Sequence, residues 1–148
     1  MTGSQDAARA DAAVAAVEQQ MSALFNRVRS SWKDQAVAVH PDLQPVGFKI
    51  LAQLVRGGPS HAGILADLLQ TDKSIVSRQV RIMEGLGLVE SREDPADGRA
   101  RVLAATPLAL EKVNGVRTDN QVRLGQLLRS WPTEDVEKFA ELISRLTT

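Results

Sequence analysis

The chain opens on good helix formers from about Ala7 to Val39, in which Val14, Val17, Met21, Leu24 and Val28 recur at three- and four-residue steps with Phe25 and Trp32 alongside. That spacing predicts one long amphipathic helix. Unbroken, its roughly 32 residues reach about 48 Å, more than a chain of this size needs to cover its own core. Part of the stripe is therefore expected to pack against another chain; the alternative is a helix broken near Ser30-Ser31 and folded back. His40-Pro41 closes the segment, and Pro45 suits the first turn of a second helix running to Val55 or Arg56. Its apolar set is Val46, Phe48, Ile50, Leu51, Leu54 and Val55, and Gly57-Gly58-Pro59 stops it.

Ser60 is the expected cap of a third helix whose Ile64, Leu65, Leu68 and Leu69 face inward, and Gln70-Thr71-Asp72 forms a tight turn. A fourth helix then runs from Asp72 or Lys73 to Leu86. Val76, Val80 and Met83 form its inward stripe, while Ser74, Ser77, Arg78 and Arg81 share another face at i, i+3, i+4 and i+7. Gly87 reads as the residue just past its end, and Leu88-Val89 begins an extended segment. The turn formers Glu93 to Gly98 and the alternation of Arg99 to Leu103 complete a β-hairpin with a charged tip. Thr106-Pro107 starts a fifth helix carrying Leu110, Val113, Val116, Leu124, Leu127 and Leu128. Pro132-Thr133 starts a sixth, with Val136, Phe139, Ile143 and Leu146 as its stripe.

Composition narrows the chemistry. The 148 residues are 43% hydrophobic and 24% charged, suited to one domain, and no run of apolar residues is long enough for a membrane span. The polar start, with Asp6 and Asp11, does not read as a secretory signal, so a cytoplasmic location is expected. With no Cys there is no thiolate chemistry, and His40 and His61 have no partners at ligand spacing, so no metal or cofactor is expected. No nucleophile and base pairing, glycine-rich phosphate loop or paired carboxylate emerges, and the chain does not read as an enzyme.

Two short helices joined by a tight turn and followed by a charged hairpin are the order of a winged helix-turn-helix. The wording is more specific still. Ile64-Leu-Ala-Asp-Leu-Leu-Gln-Thr-Asp-Lys-Ser-Ile-Val-Ser-Arg, then Gly87-Leu-Val, then Asp94-Pro-Ala-Asp-Gly-Arg and Ala105-Thr106 resemble the MarR family of bacterial transcription regulators. The resemblance covers residues 43 to 106 by motif. It implies a mainly α fold with a small β-hairpin wing, in which a winged helix-turn-helix lobe, 41–106, is flanked by dimerisation helices from 1–40 and 107–148, all within one intertwined domain. It further implies a homodimer that places the helix from Lys73 to Leu86 in the major groove of double-stranded DNA and the wing in the adjacent minor groove.

The residue chemistry suits those roles. Arg78 and Arg81 offer forked donors to guanine or phosphate, Lys73 adds charge, and Ser74 and Ser77 are short enough to let the helix approach base edges. Arg99 at the wing tip suits a narrow minor groove, with Arg101 beside it on the return strand, and in the family the aspartate at the position of Asp97 orients that arginine. Arg81 has a competing assignment, pairing with Asp67, Glu84 or a partner lobe. Ser91, Ala105 and Gln44 depart from the residues common in the family, which are Arg, Leu and a hydroxyl cap.

Charge tempers the reading. Between 41 and 106 eight Lys or Arg balance eight Asp or Glu, although Lys73, Arg78 and Arg81 face only Asp72 within 72–83. Binding is then locally steered, with a modest dependence on salt. The function expected is a repressor on a pseudo-palindromic operator, released by a small, often aromatic, effector. Phe25, Trp32, His40 and Phe48, clustered around the junction of the first two helices, are its candidate pocket; the competing assignment for the aromatic residues is core packing. The family's peroxide-sensing branch, which needs Cys, is excluded. The alternative function is a helical dimeric interaction module whose degenerate winged helix does not read DNA.

Overall fold

In the computed structural model, which describes residues 2–148, the elements follow in the order α1 (Thr2–Val39), α2 (Pro45–Gly57), α3 (Ala62–Leu68), α4 (Lys73–Gly85), β1 (Val89–Glu93), β2 (Arg101–Ala105), α5 (Pro107–Arg129) and α6 (Thr133–Leu146). The fold is mainly helical with one antiparallel hairpin, as expected. Met1, counted with the first helical region, lies outside the described residues.

The first helix is unbroken over 38 residues, about 57 Å of rise, and Ser30-Ser31 does not interrupt it. Ser31 turns its hydroxyl onto the Val28 carbonyl, a back-bond that lets a serine sit in mid-helix. Only Ala36 and Val39 of α1 are buried. The stripe of Val14, Val17, Leu24, Phe25 and Val28 is exposed along the rest of its length. Helix α6 has no buried residue, and Val122, Leu124 and Leu127 of α5 are equally bare.

The core lies within the middle of the chain. Phe48, Ile50, Leu51 and Leu54 of α2, Leu65 of α3 and Val76, Val80 and Met83 of α4 meet Leu88, Val89, Leu103, Ala109 and Val113. Gly47 permits this packing, because a Cβ there would come within 2.9 Å of Leu43 Cδ1 and 3.0 Å of Gln79 Oε1.

Three local expectations are corrected. The cap of α3 is His61, and Ser60 instead pairs with Leu103 as an isolated β-bridge, exchanging bonds of 3.0 and 2.8 Å and lending the hairpin a third backbone. Ile64 and Leu68 point outward, and Leu65 with Ala66 faces the core. A seven-residue helix is too short for its periodicity to choose a face when apolar residues sit side by side. The return strand starts at Arg101, because Arg99 and Ala100 belong to the turn.

Candidate nucleic-acid interface

Helix α4 is held at both ends by local chemistry. At its start, Gln70 adopts φ 51 in the tight turn after α3, and Asp72 takes the extended conformation of a cap. At its end, Gly87 has φ 74, and the Gly87 and Leu88 amides return to the carbonyls of Glu84 and Met83 at 3.1 and 2.9 Å, the paired bonds of a Schellman stop. Thr106 then ties the strand exit to this stop. Its hydroxyl donates to the Gly87 carbonyl at 2.7 Å and accepts from the Ala109 amide at 3.2 Å, capping α5 with the same oxygen.

With Val76, Val80 and Met83 buried, Lys73, Ser74, Arg78 and Arg81 are exposed on the other side of α4 and Ser77 is half-buried between them. Among the described residues, neither Asp67 nor Glu84 pairs with Arg81, and the side chains of Lys73, Arg78 and Arg81 make no hydrogen bond or ion pair. Among the described residues, these three cations of α4 have no ion-pair partner.

The buried side of α4 contains one polar residue. Gln79 donates through Nε2 to Gln44 Oε1 at 3.1 Å, and its own Oε1 is buried without a partner. This accounts for Gln44, whose side chain makes no capping bond to α2 and engages α4 instead.

The wing is a five-residue ladder from Val89↔Ala105 to Glu93↔Arg101, closed by the Asp94 amide on the Ala100 carbonyl at 3.1 Å. Two aspartates shape its tip. Asp94 Oδ1 accepts from the Ala96 amide at 2.9 Å, and Asp97 Oδ1 accepts from the Arg99 amide at 3.1 Å. Asp97 thus engages Arg99 through the backbone, and the Arg99 guanidinium makes no hydrogen bond or ion pair among the described residues. Arg101 is differently placed. Its Nε donates to Ser91 Oγ and its Nη2 to the Ser91 carbonyl, both at 3.0 Å, so much of its fork is committed to the hairpin. An arginine at position 91 would set two cations side by side there, and serine removes that conflict.

His61 joins the wing to the helix-turn-helix. Its Nδ1 lies 3.0 Å from the Arg101 carbonyl and its Nε2 lies 2.9 Å from Asp94 Oδ2. Nothing in the sequence pattern marks this link, since 40 residues separate His61 from Arg101.

The four pocket candidates differ in their surroundings. Phe48 is buried in the core, and Phe25 is half exposed on the free part of α1. Lys49 Nζ sits 3.7 Å above the centre of the Trp32 ring, and His40 Nδ1 accepts from the Asp42 amide at 3.0 Å. None of them lines the cleft of about 140 Å³ between α1 and α5, whose walls include Asp34, Gln35, Asp119, Asn120 and Arg123. Among the described residues no group of three His, Asp or Glu is placed to hold a metal ion, and no helix is long and apolar enough to cross a membrane.

Comparison with known proteins agrees with this architecture. The model of the MarR family matches residues 43–100, which run from the end of the loop before α2 to the wing tip. The HTH-type transcriptional regulator YxaD of Bacillus subtilis, itself uncharacterized, is 30% identical over 118 residues, covering 80% of this chain and 82% of that protein. Among solved structures, the YusO protein of Bacillus subtilis superposes with a TM-score of 0.75 at 18% identity, over 93% of this chain and 96% of that one. FabT of Streptococcus pneumoniae, solved in complex with DNA, gives 0.75 at 11% identity, over 88% of this chain and 92% of that one. The order of elements, the matched segment and the YxaD relationship together place the chain in the MarR family of winged helix-turn-helix transcription regulators.

Proposed function

We propose that the protein is a homodimeric repressor that reads a pseudo-palindromic operator through α4 and the wing and is released by a small effector. The observation that carries this reading is the exposed, unpaired set of Lys73, Arg78 and Arg81 on α4, together with an unpaired Arg99 at the wing tip. Free guanidinium groups on a helix buried along its other face are available to base edges and phosphates without breaking any internal bond. Ser74 and Ser77 are small enough to let the helix enter the groove. Arg101 supports DNA contact by stiffening the wing stem that presents Arg99, and Asp97 fixes the backbone of that arginine.

The homodimer rests on the bare stripes of α1, α5 and α6, which are too extensive for a monomer in water. In this reading 1–40 and 107–148 form the dimerisation helices and 41–106 the DNA-binding lobe. Two-fold symmetry then sets half-site centres about one helical turn apart, roughly 10 bp. An effector that binds better to a dimer with misplaced lobes lowers DNA affinity by that difference in binding energy alone. The cleft between α1 and α5, lined by Asp34 and Gln35 on one side and Asp119, Asn120 and Arg123 on the other, suits a small polar molecule, and Phe25, Trp32, His40 and Phe48 are the alternative site for an aromatic one.

Selection from randomised duplex DNA at physiological salt with excess competitor, run on the wild type and on Arg78→Ala, tests the reading. Recovery of an inverted repeat by the wild type alone is the expected result; enrichment by neither protein refutes it. A second reading, a dimeric interaction module, is favoured by the electroneutral lobe and by the exposed Ile64 and Leu68 on α3. In that case the pair Arg78→Ala and Arg99→Ala leaves partner binding intact, whereas a DNA regulator loses operator binding with its dimer preserved.

A further inference from the structure

The His61 ring stands between two groups that can only accept. The Arg101 backbone carbonyl has no proton to give, and neither has an ionised Asp94 carboxylate. Nδ1 lies 3.0 Å from the first and Nε2 lies 2.9 Å from the second. A neutral imidazole carries one N–H, so it makes one of these bonds and turns a lone pair on the other acceptor; an imidazolium makes both. We propose that His61 is a proton-operated latch that ties the wing turn to the start of α3 by two bonds when the ring is charged and by one when the proton leaves.

The geometry around the ring favours this role. Ser60, one residue earlier, is fixed to Leu103 by two backbone bonds of 3.0 and 2.8 Å, so the base of the latch is rigid. Asp94 is the first residue of the turn, and its other polar groups are already used. Its amide donates to the Ala100 carbonyl, and Oδ1 accepts from the Ala96 amide, which leaves Oδ2 as the handle through which the ring holds the whole turn. The charged neighbours do not substitute for the ring. Arg101 is held on Ser91 and Arg92 on Glu90, Asp97 binds the Arg99 amide, and Asp67 on α3 and the Arg99 guanidinium make no ion pair among the described residues. Asp94 is the carboxylate in ion-pair contact with His61. The latch holds by both bonds while the ring is charged and by one when it is neutral. Its effect on DNA rests on the reading given above, because the turn carries Arg99.

Hydrogen exchange of the wing amides tests the latch without DNA. After correction for intrinsic rates, the protection of Ala96, Arg99 and Ala100 in the wild type falls about fivefold between pH 6 and pH 8, the worth of one net hydrogen bond. Asp94→Asn is the decisive variant. Its Oδ1 still serves the Ala96 amide, and its Nδ2 can donate to the lone pair of a neutral ring, so both links form without the extra proton and protection is level across that range. His61→Gln, with a single amide donor group that does not ionise there, is level as well. His40 is common to the wild type and both variants, so any contribution from it cancels. Equal protection of the wild type at the two pH values, or the same fall in Asp94→Asn, overturns the latch. Kd for the duplex selected by the wild type then measures its reach: a parallel weakening in the wild type, absent in Asp94→Asn, extends the latch to DNA binding. Level affinity with a responsive wing removes that extension. Should no duplex be selected, the DNA reading fails and the amide measurement still decides the latch.

Discussion

Arg99 and Arg101 stand two residues apart on the wing, yet only Arg101 has its fork engaged, through Nε and Nη2 on Ser91. The two arginines should therefore fail differently when truncated. Arg99→Ala is expected to weaken DNA binding by about 1–3 kcal/mol while the melting temperature holds, since it removes no internal hydrogen bond or ion pair among the described residues. Arg101→Ala is expected to cost stability of about 1 kcal/mol and to loosen the hairpin, a difference that thermal melts and wing exchange rates will separate from an effect on affinity. The motif made the recognition-helix cations legible, but it could not show which arginine was free. Ser91 meets Arg101 as a diagonal neighbour, two places along from the directly paired Glu93, and that depends on strand register. His61 was equally opaque, because a lone histidine has meaning only through neighbours that the fold delivers.

Element ends were the most readable feature, because their chemistry is local. Thr106 before Pro107, Pro45 in the first turn of α2 and Gly87 after α4 each announce a boundary from a few adjacent residues, and each lies where that chemistry puts it. Gly87 supplies a test. Any L side chain at φ 74 meets the left-handed penalty, so Gly87→Ala should lower unfolding free energy by about 1–2 kcal/mol in urea titration. The contact between α2 and α4 was not readable, since Gln44 and Gln79 are 35 residues apart. Gln79 keeps one buried oxygen unpaired, so removing its amide relieves a penalty as well as losing a bond. Gln79→Met is thus expected to change stability by less than about 1 kcal/mol, and a loss beyond about 2 kcal/mol would show the amide pair to be a principal tie between the helices.

At the scale of the molecule, the middle segment fills its core together with the last turn of α1 and the start of α5, and the outer stretches of α1, α5 and α6 stay outside it. A stability that depends on a second copy must depend on concentration, so the urea midpoint is expected to rise with protein concentration. Leu24→Glu together with Phe139→Glu, at two exposed positions, should abolish that dependence and give the mass of one chain in sedimentation equilibrium. The electroneutral lobe limits the number of phosphate contacts, so log Kd for the selected duplex should change with log salt by a slope well below 10.

The two tryptophans stand at different mechanical stations of this architecture. Trp32 lies under Lys49 where α1 meets α2, and Trp131 lies edge-on to Phe139, 5.6 Å between ring centres, where α5 turns into α6. With no tyrosine in the chain, near-ultraviolet emission comes from these two indoles and is free of a tyrosine background. Replacing either one by phenylalanine leaves a single native fluorophore, reporting in one variant on the seating of the lobe against the long helix and in the other on closure of the terminal helices. The protein thereby carries two optical gauges that can time motions of its two halves independently, without an attached dye.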